Sequence, residues 1–198
     1  MHEPYSNRMT DSIRGAAGAL TNALNPFVVF TALYALVALS YAGIARGLLF
    51  LGVELLSAAV VAGYVMYMRR RSRVGDFWIS SRAERLLPAL ILLAAFVALL
   101  AVLFLLRAPG ELFLLALSMG IASAAVALIT LLWKASAHCT VAGHAAAAGL
   151  LLLGPWGLLF LLVLPLVIWS RIALGAHTPL QALAGAAIGA GFAVLTLT

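Results

Sequence analysis

The sequence predicts an all-α integral membrane protein, a polytopic bundle of about six to seven transmembrane helices. Hydrophobic residues make up 65% of the 198 residues and charged residues only 9%, which is more apolar surface than a soluble domain of this size can bury. The apolar residues also fall in runs close to the length of about 20 residues that a helix needs to cross a bilayer.

Seven apolar runs are separated by residues that end helices. The breaks contain Asn25-Pro26, Arg46-Gly47, the polar run 69 to 85, the stretch 107 to 111, Gly154-Pro155 and Thr178-Pro179, where proline, glycine and clustered polar residues interrupt the pattern. We therefore expect crossings at about 27 to 45, 47 to 68, 87 to 106, 111 to 133, 138 to 154, 156 to 170 and 179 to 197, with the sixth the shortest.

The N-terminal segment, residues 1–25, is too polar to cross a membrane. Apolar residues recur there at helical spacing behind a possible N-cap, Asp11, namely Ile13, Ala17, Leu20 and Leu24. This pattern favours a short helix in the membrane interface, and a disordered tail is the alternative. A signal peptide fits poorly because acidic residues interrupt the stretch. We divide the chain into this interfacial or disordered segment and a transmembrane domain, residues 26–198.

Basic residues are concentrated on one predicted face. The connection between the second and third crossings carries six arginines, and by parity Lys134 and Arg171 emerge on the same face, whereas the other face shows only Arg46 and Arg107. Because cytoplasmic loops are enriched in lysine and arginine, we expect a multi-pass protein of the cell membrane whose basic face is cytoplasmic. The net charge of +6 then reflects topology and attraction to anionic headgroups, and gives no argument for a nucleic acid partner.

The segment WKASAHCTVAGH, residues 133–144, places polar side chains at the start of the fifth crossing. Lys134 is the only lysine, and Ser136 and His138 follow it where a helix N-terminus offers unpaired N–H groups to an anion. The alternative is that Ser136 caps the helix and Lys134 extends to the interface. His144 is rotated roughly 120° from His138 on a helix, so we expect it to bond across helices. The lone Cys139 is expected to be a small buried group.

The segment SRIALGAHTPLQALAG, residues 170–185, brings a second set of polar residues to the same face. Arg171 lies in the last turn of the sixth crossing, and His177 directly precedes the seventh. Thr178 to Gln181 has the pattern of a capping box with proline at the first helical position. Gly185 and Gly189 form a GxxxG pattern, which we interpret as packing within the chain, so it predicts no dimer and the oligomeric state stays open.

These residues resemble the motifs of the type-2 phosphatidic acid phosphatase superfamily. The third family motif, Ser-Arg, five residues, His, three residues, Asp, is matched by Ser170-Arg171 and His177, with Gln181 in the place of the aspartate. The second, Pro-Ser-Gly-His, is matched in part by Ser136 and His138. The segment holding Lys134, Ser136 and His138 is similar to a divergent branch of this superfamily, and the resemblance covers about residues 69 to 190.

The resemblance implies a metal-independent phosphatase with a phosphohistidine intermediate. His177 would be the nucleophile, His138 the acid that protonates the leaving alkoxide, and Gln181 the residue that orients the His177 ring. Arg171, Lys134 and Ser136 would bind phosphate. Arg82 and Arg85 occupy the place of the first family motif and would assist, although they are alternatively interfacial anchors. Neither a metal nor another cofactor is expected, because the acidic residues are scattered.

A lipid phosphate is the expected substrate, since the site lies at the membrane surface between helices. Its tail is prenyl or acyl, and the phosphate single or double. Two alternatives stay open. The same residues would serve a lipid phosphotransferase that uses an acceptor other than water. The missing aspartate would also suit a non-catalytic protein that binds or transports lipid phosphates.

Overall fold

The computed structural model describes residues 4–71 and 86–198, and within these ranges all regular structure is helical. The α-helices in chain order are α1 (Pro4–Ala23), α2 (Pro26–Arg70), α3 (Leu86–Leu105), α4 (Gly110–Leu132), α5 (Ala137–Leu153), α6 (Leu158–Ala173) and α7 (Pro179–Leu197), with a short 3-10 helix at Gly154–Gly157. In the described part of the chain, five helical runs are long and apolar enough to cross a membrane. The prediction of an all-α polytopic membrane bundle is confirmed.

The long helix α2 folds back on itself at Gly43, where the backbone has φ 72° and ψ 174°. Thr31 is hydrogen-bonded to Glu54, and Gly47 lies against the backbone of Ala38, so residues 26–42 and 44–70 form two antiparallel arms. Only glycine adopts this backbone conformation without strain. The break expected at Arg46-Gly47 was therefore placed a few residues too late.

Arg46 lies inside the second arm of α2. Its charged side chain forms hydrogen bonds at the end of the neighbouring helix α3. The guanidinium donates hydrogen bonds to the carbonyl oxygens of Leu106 and Arg107, at 3.0 and 2.8 Å. These carbonyls follow the C-terminus of α3, where a cation satisfies groups that the helix leaves unpaired. A charged residue thus continues the helix where the sequence pattern predicted a break.

A second reversal joins α5 to α6. Gly154 turns the chain with φ 56°, and Gly157 and Phe160 pack on Gly149. The five apolar runs in the described part of the chain therefore contain seven segments, each antiparallel to the one before it, where seven crossings were predicted. The sixth, α6, has 16 residues and is the shortest, as expected.

Helices α5 and α7 run parallel and make the closest contact in the bundle. A Cβ at Gly185 or Gly189 would collide with the carbonyl oxygen of Ser136 or Thr140, respectively. Small residues permit such close approach of two backbones in a membrane. The GxxxG pattern therefore packs within the chain, as predicted.

The N-terminal helix α1 packs on α6. Ala17 and Thr21 are the buried residues of its inner face, and the Thr21 hydroxyl donates a hydrogen bond of 3.0 Å to Ser170. The preceding stretch of the helix, from Asp11 to Ala16, is exposed on all sides. One face of α1 is thus fixed to the bundle next to Arg171.

Candidate functional site

Three connections between helices meet at one end of the bundle. Here α4 ends and α5 begins, α6 ends and α7 begins, and α1 leads into α2. We call this the histidine end, because His138 and His177 lie there. The carboxyl terminus of α2, with Arg69, Arg70 and Arg71, also reaches this end, whereas Arg46 and Arg107 lie at the opposite end.

The end of α6 is a glycine-terminated turn that reverses the chain above Arg171. Gly175 adopts φ 66°, and its N–H donates to the carbonyl of Ile172 at 2.9 Å. The N–H groups of Ala176 and His177 donate to the Arg171 carbonyl at 3.1 and 3.3 Å. This is the Schellman arrangement of a helix C-terminus. It fixes the backbone of His177 over the last turn of α6.

Arg171 is almost entirely enclosed, with 8% of its surface exposed. It lies in the last turn of α6, where a cation interacts favourably with the helix C-terminus. Lys134 reaches the same turn, because its Nζ donates a hydrogen bond of 2.8 Å to the carbonyl of Ala176. The two cations therefore flank the segment that carries His177.

His138 lies in the first turn of α5 and is 7% exposed. The charges of Arg171 and of a protonated His177 act on its imidazole, so these three side chains form one cluster, although they come from α5, α6 and the turn between α6 and α7. Ser136 caps α5, with its Oγ accepting from the N–H of Cys139 at 3.4 Å. The structure therefore brings together His138, His177, Arg171, Lys134 and Ser136, all of which were predicted to share a site.

Gln181 closes the predicted capping box. Its Oε1 accepts a hydrogen bond of 3.1 Å from the Thr178 N–H, and the Thr178 hydroxyl accepts from the Gln181 N–H at 3.3 Å. The Gln181 carbonyl also accepts from the Ser136 N–H at 3.4 Å. The residue thus connects α7 to the start of α5, and its side-chain oxygen serves the helix cap.

His144 and Cys139 take the structural positions that the sequence predicted. His144 is fully buried on α5, and its Nε2 lies 2.7 Å from the Ser118 Oγ on α4. The Ser118 hydroxyl donates to the Leu115 carbonyl at 2.9 Å, so Nε2 carries the proton and donates to Ser118. Cys139 is 0% exposed among the small residues Ala142, Ala182 and Ala186.

Two predicted phosphate ligands, Arg82 and Arg85, lie outside the described residues. In the described ranges, no three His, Cys, Asp or Glu side chains come close enough together to hold a metal ion.

Glu54 is a buried acidic residue that was not among the predicted site residues. Glu54 lies inside an apolar run and is 4% exposed. An acidic residue in a predicted crossing is itself a signal, because ionisable groups at membrane depth are rare and usually functional.

The histidine end can bind an oxyanion and transfer protons. Arg171 presents a planar guanidinium that matches two phosphate oxygens, Lys134 adds a point charge, and the α5 N-terminus adds a partial positive charge. An imidazole serves as nucleophile or as acid near neutral pH. Comparison with protein-family models, curated proteins and solved structures finds no match to the chain.

Proposed function

We propose that the protein is a membrane lipid-phosphate phosphatase that uses a phosphohistidine intermediate. The observation that supports this most directly is the cluster at the histidine end. His138 is buried at the α5 N-terminus, close to the buried Arg171 and to His177. Two imidazoles and a guanidinium, brought together from α5, α6 and the turn between α6 and α7, suit phosphoryl transfer through histidine.

In the proposed reaction, a ring nitrogen of His177 attacks phosphorus while the bond to the lipid oxygen breaks. His138 gives its proton to that oxygen, and the lipid leaves as an alcohol or, from a diphosphate, as a monophosphate. Water then attacks the phosphohistidine, His138 takes the water proton, and the P–N bond breaks to release inorganic phosphate. Arg171 and Lys134 stabilise the charge on the phosphoryl oxygens in both steps.

The substrate class follows from where the cluster lies. The cluster is at the end of apolar helices, between α5, α6 and α7, so a phosphate headgroup at the bilayer surface can reach it while its tail stays in lipid. We propose a polyprenyl phosphate or diphosphate, or another lipid phosphate, as the substrate. The excess of basic residues at the histidine end supports a cytoplasmic site in the cell membrane.

The test is phosphate release by the purified protein in detergent, with EDTA, from a panel of prenyl and acyl lipid phosphates. We expect release that persists in EDTA, disappears in His177→Ala and falls about 10² to 10⁴-fold in His138→Ala. His144→Gln is the matched control, since it changes a histidine outside the cluster and keeps a side-chain N–H for Ser118. Equal release by His177→Ala and the unchanged protein would contradict the proposal.

A second candidate function is non-catalytic binding or transport of lipid phosphates, and Gln181 is the observation that favours it. The side chain in the place of the family aspartate is neutral, and its oxygen accepts a hydrogen bond from the helix cap. Binding of lipid phosphates without any phosphate release, lost on Arg171→Ala, would establish this function. Release that falls when alcohols compete with water would instead indicate a phosphotransferase.

A further inference from the structure

Glu54 is a carboxyl group within an apolar membrane segment, and the proposed reaction does not use it. Among the described residues its hydrogen-bond partner is Thr31, whose hydroxyl lies 2.9 and 3.1 Å from the two carboxylate oxygens. One hydroxyl supplies one proton, whereas a carboxylate accepts about four hydrogen bonds. Most of the acceptor capacity of Glu54 is therefore left for another group.

Tyr34, one turn further along the first arm of α2, adds a second polar group at this depth. Its side chain is fully buried, and its hydroxyl has no hydrogen-bond partner among the described residues. The charge of Glu54 acts on it. Buried polar groups nearly always have partners in native proteins. Tyr34 does not line the cavity described next, so it is the unused acceptor capacity of Glu54 that points to a cation or a donor as ligand.

Glu54 lines a cavity of about 110 Å³ between α2, α3, α4 and α5. Most of its wall is apolar, and it includes Phe30, Leu92, Phe96 and Val141. None of the described lining residues is a lysine, an arginine or a histidine. The volume is comparable to that of roughly 150 Å³ in which an apolar protein cavity takes up a benzene-sized molecule.

Two aromatic rings stand in this wall close together. The ring centroids of Phe30 and Phe96 are 5.9 Å apart, with the planes at 73°. The faces of such rings attract cations, most strongly where water is excluded. The cavity therefore combines a carboxyl group, two aromatic side chains and an apolar wall.

We propose that this cavity binds the ammonium group of a small aliphatic amine. The ammonium would donate charge-assisted hydrogen bonds to Glu54, and the alkyl chain would lie against Phe30, Phe96 and Val141. An anionic headgroup is disfavoured by the carboxylate, so this site is chemically the opposite of the basic histidine end. The proposal does not depend on the proposed phosphatase activity.

The test is a titration of the full-length protein in detergent with hexylamine, monitored by thermal unfolding, beside hexanol as the uncharged twin. A ligand of the folded state raises the unfolding temperature with its concentration. We expect hexylamine to do so, and its apparent Kd to weaken about tenfold or more in Glu54→Gln, because a charge-assisted hydrogen bond is lost. Glu111→Gln, at the opposite end of the bundle, is the matched control and should respond like the unchanged protein.

A second variant tests the same proposal even if Glu54→Gln does not fold. Ala95 also lines the cavity, so Ala95→Leu fills the space and retains the carboxyl group. We expect this variant to lose the response to hexylamine. An equal response in the unchanged protein, Glu54→Gln and Ala95→Leu would overturn the proposal. So would equal responses of the unchanged protein to hexylamine and hexanol.

Discussion

Gln181 shows how one residue serves both a helix and the site. Its side chain completes the capping box of α7, and its carbonyl accepts from the N–H of Ser136. The second contact belongs to the backbone and survives any substitution that preserves α7. A substitution of the Gln181 side chain can therefore remove the helix cap and leave the backbone contact with Ser136 in place.

At this position we expect Gln181→Ala to lower the free energy of unfolding by about 0.5 to 1 kcal/mol, because one half of the capping box is lost. Gln181→Glu should stay close to the unchanged protein, since glutamate is equally suited to this position of the box. Unfolding in detergent monitored by circular dichroism measures both. Equal losses in the two variants would show that the cap is not the cause.

The two buried histidines of α5 show what residue spacing can predict. Their angular separation on the helix correctly predicted that His144 makes a contact across helices and lies on a different helical face from His138. Spacing could not predict the contact between the Gln181 carbonyl and Ser136, because a backbone hydrogen bond across helices leaves no signature in side-chain identity.

At the scale of elements, the parallel pair α5 and α7 determines the geometry of the histidine end. Gly185 and Gly189 lie against the α5 backbone, and Gly143 of α5 lies against the carbonyl of Ala186. The two backbones thus interlock through positions without side chains. The start of α7 is held against the start of α5 by this contact.

We expect Gly189→Ala to destabilise the protein by about 1 to 3 kcal/mol, because the added methyl group collides with the Thr140 carbonyl and the helices must move apart. Gly191→Ala, on the same helix, meets nothing within 4 Å and should be neutral or stabilising by up to about 1 kcal/mol. Thermal unfolding of the two variants in one detergent compares them directly. Similar unfolding temperatures would contradict the interlocked packing.

Element boundaries were less predictable than element number. The lengths of the apolar runs predicted seven membrane segments, and the described part of the chain has seven apolar helical segments. The turn between the first two was misplaced because Arg46 signals a loop by composition, whereas in the fold it satisfies carbonyl groups that follow α3. The contact of Arg46 with carbonyl groups about 60 positions away determines that boundary. A local sequence pattern cannot predict such a contact.

At the scale of the whole molecule, the two ends of the bundle differ in charge. Arg69, Arg70, Arg71, Lys134 and Arg171 lie at the histidine end, and Arg46 and Arg107 lie at the other. Parity and hydropathy predicted this separation, because helices that cross a membrane alternate in direction. The side of the membrane that each end faces is a separate question.

Single cysteines answer that question. In a Cys139→Ala background, we expect a membrane-impermeant maleimide to label Gly110→Cys in intact cells, and Arg70→Cys only after the membrane is opened, because the basic end is expected in the cytoplasm. The unaltered chain is the control, since Cys139 is 0% exposed and should not react. Labelling of both positions from one side would contradict the fold. Exchanged labelling would reverse only the orientation.

The parallel contact of α5 and α7 also bears on the order of events during synthesis. Ser136 and Gly185 are 49 positions apart, with α6 between them. While the ribosome is still making α6, the start of α5 lacks its contact with α7, and His177 has not yet been added. The cluster of histidine and arginine side chains therefore forms only after α6 and the turn that carries His177 have been made.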